Sequence, residues 1–283
     1  MLSILIPTYD YTCYKLVADL HEQAEQLNMP YEILVAEDGS RSQVDIIANH
    51  KIEELSHCRH IVRKENVGRA AIRNFLINEA KGDWLLMMDA DGKVVREDFL
   101  EKYLAAGKEH DVVCGGIKTP DIWHNPDSLL RWRYEKAYEQ KHGYISQQFR
   151  SFCFLLTKKV TEQVRFDERY LHYGYEDVQF GKDLEAAGFQ VFGIDNPLEN
   201  NDIETNAVFL QKTEEAIRSA HHFNKDIGDN VSLARTYNKY KRWGWAFRLF
   251  FTFFQKPMRH HLLSKNPSLF WFSVYKLCYY STL

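Results

Sequence analysis

Five short apolar runs, at 2–6, 32–36, 60–63, 84–88 and 112–114, alternate with amphipathic stretches at about 14–28, 43–49, 69–80 and 96–108. β-rich runs separated by segments of helical length are the pattern of βαβ units feeding a mostly parallel sheet, so this alternation restricts the fold more than any single residue does. Four of the runs close on polar groups: Pro7-Thr8-Tyr9-Asp10, Glu37-Asp38-Gly39-Ser40, Glu65-Asn66-Val67-Gly68 and Asp89-Ala90-Asp91. Ligands of open α/β sheets sit outside the carboxyl ends of the strands, which predicts that these loops converge on one crevice.

Asp89-Ala90-Asp91 is chemically the most specific of the four. Two carboxylates one residue apart, after Trp84-Leu85-Leu86-Met87-Met88 and before Gly92, suit a hard divalent cation and the phosphate oxygens it bridges. Alone, a D-x-D at a strand end also fits a solvated loop or the cap of the next helix.

With 283 residues, 45% of them hydrophobic, the chain can bury one substantial core with an appendage. Its five cysteines are odd in number and lack a C-x-x-C pair, which points to buried free thiols rather than disulfides or a zinc site. No apolar stretch reaches the length of a membrane span and the N-terminus shows no signal-peptide pattern, so a cytosolic protein is expected. The net charge of −3 conceals an asymmetry: residues 231–283 carry nine bases and no acid, whereas residues 1–230 carry 27 bases against 39 acids.

Ile4-Leu5-Ile6-Pro7-Thr8-Tyr9, Glu37-Asp38-Gly39-Ser40, Asn66-Val67-Gly68 through Ala71-Ile72-Arg73-Asn74, and Asp89-Ala90-Asp91 stand in the order and spacing of family-two glycosyltransferases, which the chain resembles over roughly residues 1–220. The resemblance implies a GT-A fold, a Rossmann-like, mostly parallel sheet flanked by helices. It also implies inverting transfer of a sugar from a nucleoside-diphosphate donor, commonly a UDP-sugar, with Mn²⁺ or Mg²⁺, as in bacterial polysaccharide biosynthesis. On this reading residues 1–228 are the catalytic domain, divided at 115/116 into nucleotide-sugar and acceptor halves, and 229–283 are a basic, aromatic, helical tail.

The residue roles follow from that resemblance. Pro7, Thr8 and Tyr9 cradle base and ribose, and Asp38 accepts the N3–H of a uracil, a proton that cytosine does not offer. An Asx-turn or a cap on the helix starting near Gln43 is the structural alternative for Asp38. Asn66, Arg73, Asp89 and Ala90 complete the donor site, with Arg73 offsetting diphosphate charge or serving as an ordinary helix-face arginine. Asp91 is assigned to the metal, and Asp89 to the ribose or to the metal through water.

Leu171-His172-Tyr173-Gly174-Tyr175-Glu176-Asp177 resembles the segment that carries the catalytic carboxylate of inverting members. Asp177 is therefore expected as general base and Glu176 as a ligand of acceptor hydroxyls, against the alternative that both are first-turn acids favoured by a helix dipole. Relatives often place a histidine in an Asn-Pro-x-x-His pattern to complete the metal shell. This chain reads Asn196-Pro197-Leu198-Glu199-Asn200, which leaves Asn200, Glu199, Asp202 or water for that position. Trp123, His124, Trp132, Tyr134, Tyr138 and Tyr144 offer either an acceptor surface or the rings of a docking helix at 129–138.

The tail combines its nine bases with fifteen aromatics and suits the interface of the cytoplasmic membrane face, where a lipid-linked glycan acceptor would be presented; aromatics packed on the body or in a dimer contact, and charges on ordinary solvated faces, are its alternatives, and no nucleic-acid motif is present. Two other functions compete with transfer: a non-catalytic nucleotide-sugar binder, and a phosphatase of haloacid-dehalogenase type with Asp89 as nucleophile.

Overall fold

The computed structural model describes residues 1–140 and 148–283; Tyr144 of the aromatic segment lies outside them. Among the described residues ten strands run in chain order: β1 Leu2–Thr8, β2 Tyr31–Glu37, β3 Cys58–Val62, β4 Trp84–Met88, β5 Gly92–Lys93, β6 Val112–Cys114, β7 Ile117–Lys118, β8 Cys153–Thr157, β9 Val191–Gly193 and β10 Leu198–Asn200. The α-helices are α1 Tyr14–Glu25, α2 Gln43–His50, α3 Arg69–Glu79, α4 Phe99–Gly107, α5 Leu129–Tyr134, α6 Lys158–Thr161, α7 Glu176–Ala186, α8 Asn206–His222, α9 Asn224–Ile227, α10 Ser232–Lys239, α11 Gly244–Leu262 and α12 Leu269–Thr282.

Two compact units emerge. The first holds both sheets. Its large sheet has seven strands in the order β3-β2-β1-β4-β8-β6-β9, and β5-β10-β7 form a second, three-stranded sheet. Strands β1, β2, β3 and β4 pair in parallel, as does β6 with β9; among the described strands of this large sheet β8 alone runs antiparallel, between β4 and β6. The mostly parallel α/β architecture expected from the sequence is therefore present, with one inserted reversed strand.

Both faces of the large sheet are covered, so its strands are apolar almost throughout. Ile4, Ile6, Ile33, Val35, Leu86 and Met88 pack on one face with Leu16, Val17 and Leu20 of α1. Leu5, Leu34, Ala36, Leu85 and Met87 pack on the other with Ala70, Ile72 and Leu76 of α3. Ser3 interrupts the second face, and its hydroxyl donates to buried Glu32 at 2.6 Å. All five cysteines are free; burial pushes the Cys114 and Cys278 thiols up to about 11, and half-buried Cys58 to about 12.

The second unit is helical and gathers Thr119–Lys141, His172–Gln179 and Ile203–Leu283. Leu130, Phe209, Leu210, Phe251, Met258, Leu262, Phe272, Tyr275 and Cys278 form its core. The expected helix at 129–138 is α5 continued by a π-helical turn at Glu135–Glu139, where Arg131 takes both carboxylate oxygens of Glu139 at 2.8 and 3.0 Å. Tyr134 packs on Phe209 and Phe272 within this unit, and the Trp132 indole donates to Pro120. No helix of the described residues is long and apolar enough to cross a membrane.

One glycine fixes the loop after β2. Gly39 has φ +68°, and a Cβ there would stand 2.3 Å from the Asn66 nitrogen. Gly39→Ala should therefore cost at least about 1–3 kcal/mol, read as a lower urea midpoint with an unchanged slope.

Candidate active site

Within the first unit, β1, β2 and β4 lie side by side in parallel, and hydrogen bonds join the carboxyl-end loops of β1 and β2. The Asp38 amide donates to the Thr8 carbonyl at 2.8 Å, continuing the ladder past the strand ends. Asp10, in the left-handed region at φ +47°, accepts from the amides of Arg41 and Ser42 at 2.6 and 2.8 Å. Beneath this turn Glu37 is buried with His60 (3.0 Å) and Asn49 (2.9 Å), and the Ser40 hydroxyl also donates to it. Burial works to raise the Glu37 carboxyl, yet bonds from His60, Ser40 and Asn49 outweigh it and hold the group below the usual carboxylate range.

Asp38 does not cap α2; Ser42 does, accepting from the Asp45 amide. Instead, the two Asp38 oxygens accept the amides of Val67 (2.9 Å) and Gly68 (3.0 Å), and the Asn66 side chain donates to the Asp38 carbonyl at 2.9 Å. Asp38 thus fastens the loop that leads into α3. Burial raises its pKa despite these two bonds. A carboxylate has about four acceptor positions, so two amides do not exhaust it. Around it Thr8 is buried, Pro7 half-buried and Tyr9 exposed.

Asp89 follows β4, with its amide held by the Phe152 carbonyl at 3.0 Å. Arg73, only 1% exposed, reaches its Oδ1 at 3.0 Å, and Arg69 reaches its Oδ2 at 2.7 Å. Burial would raise the Asp89 carboxyl, but the two guanidiniums more than offset this and lower it. Arg73 thus sits under the D-x-D as a buried counter-ion, with its guanidinium 5.4 Å from the Phe166 ring centroid. Ala90 is nearly buried and Asp91 half-buried.

Strand β10 brings the Asn-Pro-Leu-Glu-Asn segment to the same place. Asn200 is opposite Gly92 in register, and the Asn201 amide donates to the Asp91 carbonyl at 2.9 Å. Glu199 turns to Lys118 and Lys93, at 3.0 and 3.4 Å. Burial first, and then the negative charges of Asp202 and Asp91, raise the Tyr11 phenol despite its bond to the Asn201 side chain. Among the described residues no three His, Cys, Asp or Glu side chains gather into a metal-binding group. Asp91, with Asp89 beside it and Asn200 and Asp202 on the neighbouring segment, is an all-oxygen set. It fits a hard cation that takes one or two protein oxygens and fills its shell from phosphates and water, and it does not fit an all-protein cage.

In the second unit, Gly174 has φ +105° and lies so close to α8 that a Cβ would stand 2.6 Å from the Ala216 Cβ. Its carbonyl accepts the Ser219 hydroxyl at 3.0 Å. Tyr175 follows at φ +69°, rare for an aromatic residue. This strained turn delivers Glu176, which is buried, and Asp177, which is half-buried, as the first two residues of α7. Asp177 Oδ1 accepts the Val178 amide at 2.9 Å.

Sequence reasoning found each loop but missed Arg69, Glu37, His60 and Tyr11. Arg69 carried a usable signal, standing one turn before Arg73 on the same helix face. No pattern in one sequence distinguishes a buried Glu37 from an exposed one.

The model of the family described as Glycosyl transferase family 2 matches residues 3–165. The chondroitin synthase of Pasteurella multocida (strain Pm70) is 25% identical over 224 residues, covering 66% of this chain; the chain spans 23% of that synthase's length. The mannosyltransferase PcManGT from Pyrobaculum calidifontis, solved in complex with GDP-Man and Mn²⁺, superposes with TM-score 0.53 at 15% identity over 80% of this chain and 64% of its own. S. aureus TarS superposes with TM-score 0.51 at 16% identity over 98% of this chain and 54% of its own. Both likenesses speak for the fold.

Two substitutions separate the roles of the arginines. Arg73→Met leaves the largely buried Asp89 with Arg69 alone and should cost about 1.5–3 kcal/mol, whereas Arg69→Met, at a partly exposed pair, should cost about 1 kcal/mol or less; urea unfolding of both variants compares them. Glu37→Gln tests the buried network. A carboxyl held below its ordinary pKa contributes stability that is fully present above about pH 4.3 and lost as pH falls through the folded value, so the variant's deficit should shrink on acidification.

Proposed function

The chain belongs to glycosyl transferase family 2, and from that premise we propose that it moves a sugar from a UDP-sugar to a hydroxyl of a glycan or lipid-linked glycan, with inversion at the anomeric carbon. The carrying observation is the buried Arg73–Asp89 pair, which holds the D-x-D rigidly beside the Asp38 loop where a nucleoside diphosphate would lie. Pro7, Thr8 and Tyr9 bind base and ribose in this reading, and Asp38 takes the uracil N3–H through acceptor capacity beyond its two amides. Asn66 keeps the Asp38 loop in place, and Ala90 lets the backbone of the motif approach the donor.

Asp91, with Asp89 next to it, would hold Mn²⁺ or Mg²⁺. Such an ion supplies positive charge to the departing diphosphate. Arg69, partly exposed at the rim of the motif, adds charge of the same sign and keeps Asp89 ionised. Asp177 acts as general base, removing the acceptor hydroxyl proton as that oxygen attacks, and Glu176 binds acceptor hydroxyls. Asp177 needs reach more than an unusual pKa for this role, because the hydroxyl gives up its proton late.

Several facts support parts of this reading. The P. multocida relative is named a chondroitin synthase, which favours a glycan acceptor, and PcManGT carries a nucleotide sugar with Mn²⁺ on the same fold. The family match disfavours a phosphatase of haloacid-dehalogenase type. Residues 1–228 serve as the catalytic part and 229–283 as a tail that keeps the enzyme at the cytoplasmic face of the membrane.

A nucleotide-release assay over UDP-sugars and GDP-mannose, with Mn²⁺ or EDTA, tests the proposal. One UDP-sugar should turn over with metal, and Asp91→Asn and Asp177→Asn should each lower kcat by at least about 100-fold. Binding without turnover across a full acceptor panel would favour a nucleotide-sugar binder, and turnover of GDP-mannose alone would reassign Asp38.

A further inference from the structure

Helix α11 has two unlike sides. Phe251, Met258 and Leu262 are buried in the core of the second unit, with Phe247 and Phe250 packed against them. Trp245, Leu249 and Phe253, spaced by four residues, are 66%, 53% and 70% exposed, and Trp243 just before the helix is 61% exposed. Large apolar side chains arranged as a helical stripe in water are costly unless something covers them. Pro257 lies within the helix, removing one amide donor without ending it, so α11 runs on to Leu262.

The same side carries positive charge. Tyr237, Lys241, Arg242, Gly244, Trp245, Arg248, Leu249 and Thr252 line a shallow groove of about 670 Å³ where α10 meets the start of α11. The groove contains three cations and no acid, in a segment whose 53 residues carry no Asp or Glu at all. Gly244 makes room for the Tyr237 hydroxyl, since a Cβ there would stand 2.9 Å from it. The Arg248 guanidinium is oriented by a bond from its Nε to the Ser281 carbonyl.

We propose that this face of α11 lies on an anionic phospholipid bilayer, with Trp243, Trp245, Leu249 and Phe253 in the interfacial layer and a lipid phosphate seated among Lys241, Arg242 and Arg248. Charge complementarity selects this occupant: cations flanking an aromatic stripe match a surface that is anionic at the headgroups and apolar just beneath. A second copy of the chain would bring the same cations against themselves. The proposal deepens the membrane-holding role proposed for residues 229–283 and does not rest on sugar transfer, because it concerns binding alone.

The test is cosedimentation of the full chain with vesicles of phosphatidylcholine and with vesicles containing about one third phosphatidylglycerol, a proportion chosen to give a strongly anionic surface. The anionic vesicles should bind at least about tenfold tighter at low salt, and added salt should remove most of the difference. Lys241→Glu with Arg242→Glu should abolish the preference for anionic lipid. Trp245→Ser with Phe253→Ser should weaken binding to anionic vesicles by about tenfold or more, with circular dichroism showing that both double variants keep their helices. Equal binding to both vesicle types, binding unchanged in the folded variants, or a stable dimer that buries Trp245 and excludes vesicles would each overturn the proposal.

Discussion

A carboxylate removed from water must find a partner, and the Arg73–Asp89 pair meets that demand at the centre of the candidate site. Much else depends on it. Arg73 stands in the middle of α3, so the pair fixes the helix against the end of β4. Asp38 grips the entry to the same helix through the Val67 and Gly68 amides, and Asn74 fastens its far half to the Phe166 carbonyl and Glu168. α3 is therefore a strut between the loops after β2 and β4, and acids from both loops hold it. A shift of one residue along the strut would leave Asp89 charged, largely buried and unpaired.

The parallel half of the fold was legible because its strands are long enough to show composition and its helices long enough to show period. Strands β4 and β6 and the starts of α1, α2 and α3 agree with the sequence to the residue. β8 escaped because Cys153–Thr157 is a short run, buried and apolar up to its last residue, which pattern alone cannot tell from part of a buried helix. Strands β5, β7, β9 and β10 are two or three residues each and owe their identity to their pairing partners. The candidate site divides in the same way. Asp38 and Asp89 announce themselves by type and position, whereas their pairing with Val67, Gly68, Arg69 and Arg73, 16 to 30 residues away, does not. The left-handed backbone of Tyr175 is hidden for another reason: nothing local favours it, and the close approach of Gly174 to Ala216 appears only once α8 is in place.

Charge tells a related story at the level of the chain. The excess of acid in residues 1–230 and of base in 231–283 is visible by counting, but its meaning depends on which side of each helix remains in water. α11 resolves this by turning one apolar stripe inward and another, edged by cations, outward.

The five thiols have a practical consequence. A thiol pushed up to about 11 or 12 holds almost no thiolate at neutral pH, and the thiolate is the form that attacks alkylating reagents and disulfides. The folded chain therefore resists modification, while the unfolded chain presents five ordinary cysteines. Its labelling rate becomes a clock for local opening, with Cys114 timing the large sheet and Cys278 the helical unit.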